Sequence, residues 1–169
     1  MVSLKKGGKV NLSKEAEGST KFEARLYWDT NGFDGADFDL DVWAISCDEN
    51  LKALSDQDLV FYNNVSSPDG SIVHSGDNRT GEGDGADETI AIDLSKVNPR
   101  SKTIAFLVSI DDAIAKGQNF GAVRNSKIEI FDVEQNKVVT EYWLEDDFST
   151  ETCISFGELS TRNGKDWSF

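Results

Sequence analysis

A hydrophobic alternation with a period of two residues runs through most of this 169-residue chain and constrains its fold more than any other feature. Phe22, Ala24, Leu26 and Trp28 alternate with charged or polar residues. Successive side chains of a β-strand point to opposite faces, so this period predicts a strand with one buried face. The segment 104–110 is apolar on both faces, which predicts a strand at the centre of a sheet. Further strands are predicted within residues 38–44, 59–62, 72–74, 90–94, 128–130, 138–143 and 152–156.

Many short strands separated by turns predict an all-β fold, an antiparallel β-sandwich of two sheets with one or two short helices. The long crossover helices that a parallel sheet requires are missing from the sequence. One helix is predicted over residues 111–116, ending at Gly117, and a second near residues 46–54. Residues 68–70, Pro-Asp-Gly, predict a hairpin or a longer loop between two strands. We expect a single domain spanning residues 1–169.

The charge of the chain restricts its partners. The formal net charge is -14 and the pI is about 4.4, so the surface repels phosphate backbones and we expect no nucleic-acid binding. No segment approaches the roughly 20 apolar residues of a membrane span, so we expect no direct membrane insertion. Cys47 and Cys153 are too few for a secreted disulfide scaffold, and no apolar stretch follows the first lysines. We therefore expect a cytoplasmic protein.

Carboxylates and glycines are concentrated in two segments, residues 28–41 and 75–88, each of which leads directly into a predicted strand. A third acidic pair, Asp111 and Asp112, follows the predicted central strand. A strand of opposite direction would deliver this pair to the same end of a sandwich as the other two segments. We expect all three to meet there.

Strand geometry orders the first acidic segment. Asp37, Asp39 and Asp41 alternate with Phe38 and Leu40, so the three carboxylates share one face while the two apolar residues point into the core. Positions two apart on a strand lie roughly 6–7 Å from each other, so neighbouring carboxylates could share one ion or bridge two.

Carboxylates that a folded loop holds close together repel one another and need a compensating cation. Two like charges about 4 Å apart cost about 4 kcal/mol at an effective dielectric of about 20. Oxygen ligands on a glycine-rich loop suit calcium best, although Val42 and Asp48 break the pattern of an EF-hand loop. His74 and two distant cysteines cannot form a usual zinc site. Magnesium, or a solvated loop whose Asp and Asn side chains bind their own backbone, remains an alternative.

The second acidic segment carries a family resemblance. Its sequence HSGDNRTGEGDG at residues 74–85, preceded by FYNN at 61–64, closely resembles the TerD family of tellurium-resistance and stress-response proteins. Ordered matches extend along nearly the whole chain. They lie at residues 2–8, 28–29, 38–41, 66–70, 118–121 and 156–159.

The resemblance implies a two-layer β-sandwich that binds Ca²⁺, as two ions, between its two acidic loops. It implies a role in resistance to tellurite and other stresses, together with other Ter-family proteins, including a membrane-embedded partner at the inner membrane face. The glycines of the site would act through their backbone carbonyls. Carried over position by position, the implied metal ligands are Asp37, Asp39, Asp41, Asp77, Asn78, Gly81, Gly83, Asp84, Asp87 and Glu88.

Two other function classes compete with a calcium-binding module. A metal-dependent hydrolase could use paired carboxylates for acid–base work, but the sequence has no nucleophile elbow or P-loop. The single His74 would also have to serve every imidazole role, and we expect it to be a packed residue instead. An acidic interaction domain without metal would dock on a basic partner directly. We expect a protein that is not an enzyme.

Overall fold

The structure, a computed structural model, describes residues 1–28, 40–75, 86–111, 113–117, 126–143 and 152–169. The regular secondary structure of these residues is mostly β-strand, arranged in two sheets around one hydrophobic core. The strands are β1 (Val2–Leu4), β2 (Lys21–Tyr27), β3 (Leu40–Cys47), β4 (Leu59–Val60), β5 (Ile72–His74), β6 (Glu88–Asp93), β7 (Thr103–Ile110), β8 (Lys127–Asp132), β9 (Lys137–Trp143), β10 (Cys153–Thr161) and β11 (Trp167–Ser168).

The two sheets confirm the predicted all-β class. Within the described residues, the first sheet has six strands in the order β1-β9-β8-β2-β6-β5. The second has five strands in the order β11-β10-β7-β3-β4. Neighbouring strands are antiparallel except for β1, which runs parallel to β9. β3 and β4 of the second sheet lie against β6 and β5 of the first, so these four strands form one edge of the sandwich.

The predicted alternation places the core correctly. Phe22, Ala24 and Leu26 of β2 are buried, whereas the residues between them are partly exposed. β7 is the middle strand of the second sheet, as its apolar sequence predicts, and four of its alternate side chains are fully buried or nearly so. Burying a large apolar side chain stabilises the fold by about 1.5–3 kcal/mol. The interleaved faces of the two sheets therefore supply most of the driving force for folding.

The helix predicted near residues 46–54 is wrong. Ser46 and Cys47 belong to β3, where they pair with β7. The chain then turns, and the Asp48 carboxylate Oδ1 accepts hydrogen bonds from the backbone N–H groups of Asn50 (2.8 Å) and Lys52 (3.1 Å). A single 3₁₀ turn follows later, at Asp56–Asp58. Aspartate competes with helical hydrogen bonding in this way, and the strand pairing of β3 outweighs the weak helical tendency of the segment.

The helix predicted before Gly117 is confirmed as α2 (Ala113–Lys116), and Gly117 takes the left-handed backbone that ends it (φ +64°). A further short helix, α1 (Leu12–Glu15), was not predicted from the sequence. Asn11 caps that helix, because its Oδ1 accepts a hydrogen bond from Lys14 N–H at 3.1 Å.

The turn at residues 68–70 is part of a longer loop, because β4 and β5 belong to different sheets. Asp69 organises this crossing. Its Oδ1 accepts hydrogen bonds from Ser67 Oγ (2.7 Å), Ser71 N (2.9 Å) and Ser71 Oγ (2.6 Å). Its Oδ2 accepts one from Asn98 N (2.9 Å), which fixes the turn to the loop that follows β6. Burial alone would raise the pKa of Asp69, but the hydrogen bonds from Ser71, Ser67 and Asn98 outweigh it and hold the pKa below the ordinary 3.8.

We expect Asp69→Asn to lower the free energy of unfolding by about 1–3 kcal/mol near pH 7, because the charged acceptor of four donors is lost. The pKa of Asp69 is lower in the folded protein, so its stabilisation is complete above pH 3.8 and is lost as the pH falls through the folded value. Urea denaturation from pH 7 downwards measures this difference. The exposed Asp56→Asn is the matched control, and an equal effect of the two variants would contradict the role of Asp69.

Candidate functional site

Three of the ten predicted metal ligands lie within the described part of the chain: Asp41, Asp87 and Glu88. The others, Asp37, Asp39, Asp77, Asn78, Gly81, Gly83 and Asp84, lie outside the described residues. The described three lie at the C-terminal ends of the two acidic segments, so they show where those segments rejoin the sheets.

The ends of the two acidic segments are bonded to each other. Trp28, which precedes residues 29–39, donates its backbone N–H to Asp87 Oδ2 at 2.9 Å. Asp87, which follows residues 76–85, donates its own N–H to Leu26 O at 2.9 Å. Because β2 pairs with β6 in antiparallel register, with Leu26 opposite Glu88, both segments leave the first sheet at the same end. The predicted convergence of the two segments is confirmed at these anchoring residues.

Glu88 connects the two sheets at this end. It is the first residue of β6, its side chain faces the core, and only 1% of its surface is exposed. Its Oε2 accepts the backbone N–H of Val42 in β3, at 2.9 Å, from the opposite sheet. In the described structure β4 pairs only with Ala44 and Ile45 of β3. The Glu88 carboxylate thus gives Val42 the acceptor that a longer β4 would otherwise supply.

His74 lies beside this carboxylate. It is the last residue of β5, is 4% exposed, and places its Nε2 3.5 Å from Glu88 Oε2. Its backbone N–H donates to Val65 O at 2.7 Å. The imidazole is therefore packed against a buried carboxylate, in agreement with the expectation of a packed residue.

Asp41 is buried although it faces away from the core. Leu40 points into the core and is fully buried, so the predicted alternation is confirmed here. Asp41 lies on the opposite face of β3, across from Ser109 of β7, and yet is only 4% exposed. The hydroxyl of Ser109 accepts a hydrogen bond from the Trp43 indole at 2.9 Å. The outer face of β3 is thus covered at Asp41, whereas Trp43 and Ile45 on the same face are partly exposed. A carboxylate buried here requires a compensating charge or hydrogen bonds.

The third acidic pair also reaches this end. Leu40 pairs with Ile110, the last residue of β7, so Asp111 follows at the end where the first acidic segment joins β3. This confirms the prediction for Asp111, while Asp112 lies outside the described residues.

The described donors are chemically suited to a hard cation. Asp41, Asp87, Glu88 and Asp111 offer carboxylate oxygens, which calcium prefers. No group of three or more His, Cys, Asp or Glu side chains within the described ranges is placed to hold a metal ion by itself. A complete metal site would therefore also need ligands from residues of the acidic segments outside the described ranges. The thiol of Cys47 is not part of this set. It is buried, and this burial, together with the nearby charge of Asp48, raises the pKa of the thiol.

Sequence reasoning missed the structural partners of the acidic residues. The backbone N–H groups of Trp28 and Val42 and the imidazole of His74 carry no sequence signal for their roles, since those roles depend on pairing between strands. The burial of Glu88 could have been predicted, because Glu88 alternates with Ile90 and Ile92 and so lies on the buried face of its strand.

Comparison with known proteins identifies the family. The TerD domain model matches residues 1–169. The chain belongs to the TerD family. It is 46% identical over 168 residues to the Tellurium resistance protein TerD of Serratia marcescens, covering 99% of this chain and 87% of that protein. It is 45% identical over 169 residues to General stress protein 16U of Bacillus subtilis (strain 168), covering 99% of this chain and 87% of that protein.

A solved structure has the same fold as this TerD-family chain. The crystal structure of a homologue of telluride resistance protein (TerD) from Streptomyces coelicolor A3(2) superposes with a TM-score of 0.73 at 22% identity. The match covers 89% of this chain and 86% of that one. Among the described residues, no helix is both long and apolar enough to cross a bilayer.

We expect Glu88→Ala to lower the free energy of unfolding by at least about 2 kcal/mol, because it leaves the Val42 N–H without its acceptor and opens a cavity. Glu88→Gln keeps an oxygen for Val42 and is expected to cost less. Denaturation in the presence of a calcium chelator measures the effect without any contribution of metal. The exposed Glu49→Ala serves as control, and a difference of under about 0.5 kcal/mol between Glu88→Ala and this control would contradict the cross-sheet role.

Proposed function

We propose that this protein is a calcium-binding, non-enzymatic module of the tellurium-resistance and stress response. One observation carries the proposal: the two acidic segments are anchored to each other by the Trp28–Asp87 and Val42–Glu88 hydrogen bonds. Such anchoring holds the described ends of both segments at one end of the sandwich, which supports a common site for their carboxylates.

Electrostatics favours a bound cation at this end. Carboxylates about 4 Å apart repel each other by about 4 kcal/mol at an effective dielectric of about 20. The described ends of three acidic segments, with Asp41, Asp87, Glu88 and Asp111, lie at this end. A divalent ion removes this repulsion and orders the segments. The residues that would hold it are those implied by the family resemblance, and the glycines would contribute backbone carbonyl oxygens.

The three implied metal ligands that the structure describes would have two different roles. Asp87 and Glu88 each use one carboxylate oxygen to accept a backbone N–H, so they position the ends of the second segment. Asp41 brings a buried carboxylate from the opposite sheet. The ion would supply positive charge and coordination, and the β-sandwich would supply a rigid frame for both segments.

The ordered acidic end would then act through protein partners. We propose that these are other Ter-family proteins, including a membrane-embedded one, and that the protein works in the cytoplasm at the inner membrane face. Family membership supports this proposal, since relatives of this chain are named tellurium resistance proteins TerD, TerZ and TerX. The net charge of -14 is also consistent with a basic partner rather than a nucleic acid.

Calcium is expected to raise the melting temperature of chelator-treated protein more than magnesium does. Binding stabilises the folded state by about 2.7 kcal/mol when the free ion is at one hundred times its dissociation constant. Calorimetric titration is expected to give two ions per chain. Asp77→Asn and Asp84→Asn are expected to weaken calcium binding by at least roughly tenfold, because each removes a charged ligand.

Asp56→Asn carries the same change of charge outside the acidic segments and is expected to leave calcium affinity unchanged. A titration without any calcium-specific stabilisation would overturn the proposal. If Asp77→Asn and Asp84→Asn alter the salt dependence of partner binding but not calcium uptake, the metal-free interaction domain is the correct function. Phosphoester or ester turnover with calcium or manganese that Asp84→Asn abolishes would instead establish a hydrolase.

A further inference from the structure

Among the described residues, no strand pairs with the outer edge of β10 over most of its length. On one side β10 pairs with β7 along nearly its whole length, from Cys153 to Ser160. On the other side, within the described residues, β11 pairs only with Ser160 and Thr161. The stretch from Cys153 to Leu159 therefore presents a strand edge to which no described strand is bonded. Such an edge is a template for pairing with another chain.

The pairing with β7 shows which backbone groups of β10 face outwards. Thr161 N–H donates to Lys102 O at 2.9 Å, and Thr152 O accepts from Ile110 N–H at 3.0 Å. Alternate residues of an antiparallel strand direct their N–H and C=O groups to opposite sides. Thr161 and Thr152 therefore face β7, and every second residue from each of them does so too, up to the irregularity between Ser155 and Gly157. By this alternation, the backbone groups of Ser155 and Glu158 point to the open side.

A cleft of about 450 Å³ runs along this open edge. Its far wall is the loop that follows β1, a tight turn in which Gly8 N–H donates to Lys5 O at 2.8 Å. Gly7 holds the positive φ of that turn (+81°). A Cβ on Gly8 would lie 2.9 Å from both Leu4 Cδ2 and Lys5 O, so the loop is closely packed on itself.

The cleft has an apolar floor and a cationic rim. Leu4, Tyr142, Phe156 and Phe169 supply the apolar surface, while the exposed lysines 5, 6 and 9 lie at the rim. Glu158 is the single carboxylate among the described side chains that line it. A surface of this composition favours an anionic partner with alternating apolar side chains.

A second cleft of about 570 Å³ continues the first and shares Lys9 and Ser160 with it. It adds Lys102 and Arg162, together with Glu49 and Asp166. The described lining of the two clefts thus carries five cationic and three anionic side chains, in a chain whose net charge is -14. This local excess of positive charge lies at the β1, β9 and β10 edge of the sandwich, away from the edge formed by β3, β4, β5 and β6.

We propose that the β10 edge cleft binds an extended acidic peptide segment of a partner protein, which adds a strand to β10. Main-chain hydrogen bonds to Ser155 and Glu158 give affinity, because strand addition satisfies the open edge. Apolar side chains on one face of the peptide pack on the floor, and carboxylates on the other face meet the lysines. The site is independent of the proposed calcium ligands.

The probe is an eight-residue peptide of alternating Glu and Val with blocked ends, titrated into the full chain in the presence of a calcium chelator. We expect binding that weakens as salt is raised, because exposed charges are screened. The combined variant Lys5→Gln, Lys6→Gln, Lys9→Gln is expected to weaken binding by at least about tenfold through the loss of rim charges. A control with Lys21→Gln, Lys96→Gln and Lys116→Gln changes the net charge equally and is expected to change affinity by less than about twofold.

Backbone pairing is tested on the unmodified protein. The same peptide, N-methylated at alternate residues on the side that faces β10, is expected to lose binding, whereas methylation of the other alternate set is expected to be tolerated. The same peptide with Lys in place of Glu is expected not to bind.

Three results would overturn the proposal: absence of peptide binding, equal effects of the two lysine variants, or equal binding of both N-methylated peptides. Displacement of the peptide by inorganic phosphate alone would also overturn it, because the cleft would then be a simple anion site. Concentration-dependent dimerisation in sedimentation that the three rim substitutions abolish would assign the edge to a second copy of this chain instead.

Discussion

The hydrogen bond from the Val42 N–H to the buried Glu88 carboxylate is the interaction on which the candidate site depends. It joins the two sheets at the end where both acidic segments leave them. The bond is needed because β4 is too short to pair with Val42. A buried carboxylate is costly unless its oxygens are satisfied, and here Oε2 accepts the backbone N–H and lies 3.5 Å from the imidazole Nε2 of His74. The same residue that joins the two sheets therefore also lies at the described ends of the acidic segments.

The molecule separates its charges along the sheets. Carboxylates gather where β2, β3, β6 and β7 end or begin, while lysines and an arginine gather along the edge of β10. Each location has a backbone reason. Antiparallel strands of similar length bring loops to common ends, and a strand with a two-residue neighbour leaves its edge open. One fold thus carries two surfaces of opposite charge, the acidic end of the sandwich and the cationic cleft beside β10.

Much of this architecture could be predicted from the sequence. The alternation of apolar and polar residues predicted β2 and the face of β3 that points into the core. The segment 104–110, which is apolar on both faces, predicted that β7 lies at the centre of its sheet. The helix before Gly117 followed from a glycine stop. The helix expected near residues 46–54 failed because strand pairing with β7 outweighs local preference. The family followed from ordered motifs, above all the acidic segment at 74–85.

The sequence by itself determined the fold class, the family and the residues rich in carboxylates, because periodicity and local motifs are properties of neighbours along the chain. Tertiary structure alone decided which backbone groups the carboxylates reach. Trp28 donates a hydrogen bond to Asp87, and both Val42 and His74 contact the Glu88 carboxylate. Each of these contacts joins residues that lie in or next to different strands. The open edge of β10 likewise depends on how far β11 extends beside it. These contacts follow from strand register and sheet packing, which link positions far apart in sequence and leave no local pattern to read.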